Sequence, residues 1–219
     1  MPSVIVPVGL SLGQDFATRD PVERPSQYWH VRLGDDVVHL SMEETTAWGA
    51  AFLDPQAHAD LRVTRTSLER HLQQNDIGPA GRLEGPEKVV AGLLDRDLLV
   101  EFDPTDGALH PLFSRLRLCP LVQGIGNSPE DPSGYQIGIA GEPLVTVDAN
   151  VFAIWSYGLT EQSLWDACTG LAEGVDADLP EGEEPLGLTA DGLAGDVGAA
   201  IPALVAGGCA FLDPVGSAR

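Results

Sequence analysis

The feature that most constrains this chain is that it repeats itself. Four landmarks recur in the same order along the 219 residues. Val6–Gly13 (VPVGLSLG) is echoed by Cys119–Gly126 (CPLVQGIG). The stretch from Tyr28 to Gly49 matches Gly134–Ser156, with Trp48 falling on Trp155. Thr66–Leu72 (TSLERHL) matches Gln162–Cys168 (QSLWDAC), and Gly92–Pro104 matches Ala203–Pro214, both ending on Asp-Pro. Insertions fall only in stretches rich in Gly, Pro and Asp. Periodic self-similarity on this scale means one small unit used twice, not one large domain.

Each copy carries the same expected elements. Trp29 to Leu33 alternates, meets Gly34-Asp35-Asp36 and continues as Val37 to Leu40, a β-hairpin with turn residues where a turn needs them. Ser41 followed by Glu44 forms a capping box, which starts a helix from Met42 to about Phe52. Thr66 and Glu69 form a second such box before a short helix through His71 and Leu72. Pro86 suits the first turn of a third helix ending near Leu94, and a strand follows at Leu98–Phe102. In the second copy Asp148 caps a helix reaching Tyr157, Thr160 caps the next, and a last strand lies near Cys209–Leu212. The expected fold class is α+β, a tandem pair of winged-helix-like domains, each a hairpin, three helices and a returning strand. The domain boundaries are 1–110 and 111–219, with the second domain strongly acidic.

The residues behind that description also carry a resemblance. Ser67–Leu72 with Val89–Phe102 (SLERHL, then VVAGLLDRDLLVEF) resembles the helix-turn-helix and wing entry of the winged-helix superfamily. The start of each copy, with a strand, a glycine turn, a strand and then Leu40-Ser41-Met42-Glu43-Glu44 ahead of Trp48, resembles the PqqD-like domains. Those are winged-helix relatives that recognise precursor peptides. The resemblance implies peptide recognition and transfers no individual functional residue.

Charge narrows the partners. Twelve Lys and Arg oppose 33 Asp and Glu, a net charge of −21. No Lys or Arg occurs from Leu118 to Ala218, where 15 acidic residues lie. Arg62, Arg65, Arg70, Arg82, Lys88 and Arg96 cluster in the first copy, where DNA-binding winged helices place phosphate contacts. Six acidic residues are interleaved with them between Arg62 and Asp97, so the surface is mixed in sign. Duplex binding needs local positive potential, which makes nucleic acid a poor partner and a basic protein or peptide a better one. A homo-oligomer is compatible with the sequence. No apolar run spans a bilayer, and the N-terminal stretch lacks a basic segment before Asp15, so neither a membrane partner nor a signal peptide is expected. Cys119, Cys168 and Cys209 form no CxxC and read as buried thiols of a cytoplasmic protein.

No catalytic, cofactor-binding or metal-binding constellation is found. The five histidines show no ligand spacing, and Gly124-Ile125-Gly126 reads as a turn, not a dinucleotide loop. Asp103 and Asp213 read as turn residues after strands. The partner-binding candidates are Trp29 and Trp165, which have no tryptophan counterpart in the other copy, the basic residues Arg62, Arg65 and Arg70, and the acidic Glu181, Glu183 and Glu184. These last belong to Glu173–Glu184, expected to be a mobile loop that is either a tolerated insertion or, in its functional reading, a docking strip for basic protein. The expected function is a non-enzymatic adaptor or recognition protein without cofactor. The alternatives are a transcription regulator using the first copy for DNA, and an enzyme of unfamiliar type with its site between the copies.

Overall fold

The computed structural model describes residues 3–14, 29–52, 63–177 and 184–216. Among them lie ten strands and seven helices, a mixed α+β fold. In chain order these are β1 (Val4–Pro7), β2 (Leu10–Gln14), β3 (Trp29–Leu33), β4 (Asp36–Leu40), α1 (Met42–Ala50), α2 (Arg65–Gln74), α3 (Pro86–Asp95) and β5 (Leu99–Phe102). There follow α4 (His110–Phe113), β6 (Leu116–Pro120), β7 (Gln123–Gly126), β8 (Tyr135–Ile139), β9 (Glu142–Val147), α5 (Ala149–Tyr157), α6 (Leu164–Ala177), α7 (Ala190–Ala206) and β10 (Ala210–Pro214). Four strands, three helices and a strand thus occur twice, separated by the single turn of α4. In each half the first and last strands pair antiparallel, β1 with β5 and β6 with β10. The middle strands form three-stranded meanders, β2-β3-β4 and β7-β8-β9.

Each expected hairpin has gained a third strand. Gly124-Ile125-Gly126 lies in β7, not in a turn. β7 escapes a sequence reading because a bulge between Gly124 and Gly126 breaks its alternation, as one between Ser11 and Gly13 does in β2. Gly13 and Gly126 both have left-handed backbone, φ +85° and +92°, which a side chain would resist.

The helix starts show which local rules operate. Ser41 Oγ accepts from the Glu44 amide at 3.2 Å while Glu44 Oε2 accepts from the Ser41 amide at 2.8 Å. The cap of α2 is Thr64, not Thr66: its Oγ1 accepts from the Ser67 amide, and the Ser67 hydroxyl accepts from the Thr64 amide. Starting there brings Leu68 and Leu72 to one buried face. Ser163, not Thr160, begins α6, its Oγ accepting from the Asp166 amide at 3.1 Å. The Thr160 hydroxyl instead donates to the Tyr157 carbonyl. The acidic stretch from Glu173 is helical as far as Ala177, because α6 runs on into it. That corrects the loop expectation for its first part.

Among the described residues the core forms two clusters, and the β1–β5 ribbon belongs to both. Ile5 and Leu99 join α1, α2 and α3 through Trp48, Leu68, Val90 and Leu93. Val4, Val6, Val100 and Phe102 point the other way, into the cluster of Trp155, Cys168, Val197 and Ile201. A strand buried on both faces needs a continuous apolar run, which Val4-Ile5-Val6 supplies. The β6–β10 ribbon is likewise two-faced. Leu116, Leu118, Ala210 and Leu212 enter the second cluster, while its other face meets β3. There Asp213, paired in register with Arg117, is buried instead of standing in a turn. Its Oδ1 accepts from the Gly34 amide at 2.8 Å, and its Oδ2 lies 3.6 Å from Arg32 and 3.8 Å from Arg117. The Arg32 guanidinium also sits over the Phe211 ring.

Trp48 and Trp155 are both buried, and each indole N–H reaches a backbone carbonyl at 3.1 Å, Val8 for Trp48 and Cys209 for Trp155. Replacing either by alanine should cost about 3–5 kcal/mol, the range for a large aromatic removed from a packed core. Chemical denaturation of the two variants measures this, and losses near zero would contradict the burial.

Candidate functional site

Strand β9 is an outer strand of its meander and pairs only with β8 among the described residues. An outer strand leaves one row of backbone donors and acceptors free for another chain. Pro143, which lacks an N–H, fits such a position. Beside β9 runs α7, and between them lies an open groove of about 620 Å³. Its strand side is Val145, Thr146 and Val147, and its helix side is Asp196, Ala199, Ala200 and Ala203. Those helix positions recur at spacings of three and four and so share one face. Alanine keeps that face low, which is why the groove stays open.

Two carboxylates give the groove its charge. Asp148, the cap of α5, accepts from the Val151 amide at 2.9 Å. Asp196 stands on α7. Partial burial, and then the neighbouring Asp148, push its carboxyl above the usual aspartate value. The charged form is therefore less favourable in the folded protein than in the unfolded chain. This penalty exists above the ordinary carboxylate range and disappears as the pH falls through it. Asp196→Asn should raise the denaturation midpoint near neutral pH, and the gain should shrink in acid. A variant less stable than the parent at neutral pH would contradict this assignment.

A smaller apolar pocket of about 330 Å³ lies between α5 and α6, lined by Ile154, Tyr157, Leu171 and Val175 with Glu161. It contains no strand, so it lacks the backbone groups that the β9 groove offers. No group of three or more His, Cys, Asp or Glu is placed to hold a metal among the described residues. No described helix is long and apolar enough to cross a membrane.

The groove does not collect the candidates read from sequence. Trp29 is half-buried on β3 against the first cluster. Trp165 is half-buried on α6, its ring edge-on to His110 at 4.5 Å. Arg65 begins α2 and pairs with Glu69 at 3.1 Å, one turn along the same helix. Arg70 lies exposed on α2, and Glu184 is exposed ahead of α7. Arg62, Glu181 and Glu183 fall outside the described residues. The groove residues Thr146, Asp196 and Ala199 carried one readable signal, a proline-bearing alternation in Glu142–Val147 followed by a helix with a stripe of alanines.

No protein family, curated protein or solved structure matches this chain.

The three cysteines offer no reactive thiolate. Burial raises Cys168 to about 12, and burial with the nearby Asp213 charge raises Cys119 to about 11. Burial also raises Cys209. All three are free, and the thiolate is the reactive form. A disulfide reagent at mildly alkaline pH should label them only after denaturation, and labelling of the native protein at the rate of a free thiol would contradict their burial.

Proposed function

We propose that this protein is a non-enzymatic recognition module that binds an extended peptide or protein segment along β9, in the groove facing α7. The observation that carries the proposal is the pairing of a free strand edge with an open, low-walled groove. An added strand gains main-chain hydrogen bonds along the edge and side-chain contacts from the groove. In this reading the two halves are winged-helix-like repeats, 1–110 and 111–219. The support for that is the twice-used order of meander, three helices and closing strand. The resemblance to PqqD-like domains points the same way.

DNA is the weaker partner. Among the first-half cations, Arg65 is tied to Glu69 and Arg96 to Glu44. The chain as a whole carries −21, so phosphate neutralisation has little to draw on.

The test is selection from a library of short random peptides, followed by fluorescence anisotropy on those recovered and on duplex DNA at low salt. Peptide binding is expected, and it should weaken by roughly tenfold or more, over 1.4 kcal/mol, when Ala199→Trp fills the groove. Failure to recover any peptide, or affinity untouched by Ala199→Trp, would sink the proposal. Submicromolar DNA binding would move the regulator reading ahead of it.

A further inference from the structure

In the second half the outer strand β9 runs beside the third helix α7, whereas in the first half it is Arg96, just past the end of α3, that reaches the outer strand β4. Backbone geometry sets the correspondence. Ser41 and Asp148 cap α1 and α5 at the ends of β4 and β9. Leu98 N donates to Leu93 O at 2.9 Å as Cys209 N donates to Leu204 O at 2.8 Å. The residues just before, Asp97 and Gly208, both have left-handed backbone, φ +54° and +65°. Position 96 therefore corresponds to 207, 39 to 146, 44 to 151 and 88 to 199.

In the first half the corresponding place is filled by a cation of the chain itself. One guanidinium nitrogen of Arg96 donates to the His39 carbonyl on β4 at 3.4 Å, and another is paired with the Glu44 carboxylate. In the second half Arg96 is replaced by Gly207, which has no side chain to offer. A Cβ there would meet Val145 Cγ2 at 2.9 Å, so the Gly207 backbone packs directly on the Val145 side chain of β9. Lys88 gives way to Ala199. The carboxylate that Glu44 supplies is gone, since Val151 stands in its place, but Asp148 and Asp196 bring two to the same groove. The second edge thus retains negative charge and lacks the cation that balances it in the first.

We infer that the segment bound along β9 carries an arginine or lysine, seated against Thr146 and the Asp148 and Asp196 carboxylates where Arg96 would project from a first-half scaffold, and that Arg96 keeps the first half from taking a second segment. The inference rests on the peptide-binding reading above. The chemistry is charge complementarity reinforced by desolvation. Asp148 and Asp196 repel each other, and a cation between them turns that repulsion into attraction. A guanidinium could also reach strand carbonyls, as Arg96 does.

The full-length protein and the library-derived peptides provide the test. Recovered peptides should share one basic position. Replacing that residue by glutamine should weaken binding by roughly tenfold or more. The same replacement should cost much less in Asp196→Asn, whose denaturation midpoint reports that it is folded. Isothermal titration should give one peptide per chain, and Arg96→Ala should admit a second. Peptides that bind with no basic preference, or that bind wild-type protein two to a chain, would overturn the inference and leave the peptide-binding reading intact. If Arg96→Ala still takes one, the blocking role is wrong. If no peptide binds, both readings fall.

Discussion

The structure depends on burying one two-stranded ribbon from both sides. β1 and β5 contribute alternate residues to two hydrophobic clusters, so neither cluster is complete without a strand pair that also serves the other. Hydrophobic burial is non-directional and scales with area. A ribbon covered on both faces therefore couples the halves more strongly than a flat contact between finished domains would. The β1–β5 ribbon fixes where the second-half helices pack, and with them the wall of the β9 groove.

The second ribbon adds direction to that coupling. Asp213, buried on β10, accepts from Gly34 in the β3–β4 turn and faces Arg32 and Arg117. Both arginine Nε atoms are buried without a hydrogen-bond partner, so the arrangement is not optimal for stability alone. A carboxylate removed from water gains net stability only when its partners are well placed. Here the pairs are longer than hydrogen bonds, and the two arginine side chains are more than one-third exposed. The cluster ties the β3–β4 turn and β3 to the second ribbon without being a large source of stability.

Much of the architecture was legible because local rules and global fold agree. Ser41 with Glu44, Asp148 before α5 and Pro86 in α3 all act as their sequence context implies. Failures fell where two signals compete. Thr64 and Thr66 both offer caps, and only burial of Leu68 and Leu72 decides between them. Bulged strands lose the alternation that announces a strand, which hid β7. Asp213 shares its Asp-Pro dipeptide with Asp103, which accepts from Thr105 in an exposed turn; only tertiary packing separates them. The groove was least legible, because what makes it is what its residues lack: alanines where a wall would stand, glycine where an arginine would reach.

The twofold duty of β1 also bears on how the chain is made. Its first strand leaves the ribosome long before β5 exists to pair with it. Even after β5 arrives, Val4, Val6, Val100 and Phe102 face outward until the second half has been synthesised. A nascent chain paused near its midpoint would present an apolar ribbon face to the cell, the kind of surface that chaperones hold and that aggregates recruit. Vectorial synthesis thus leaves this protein exposed for an interval that two independently folding domains would avoid.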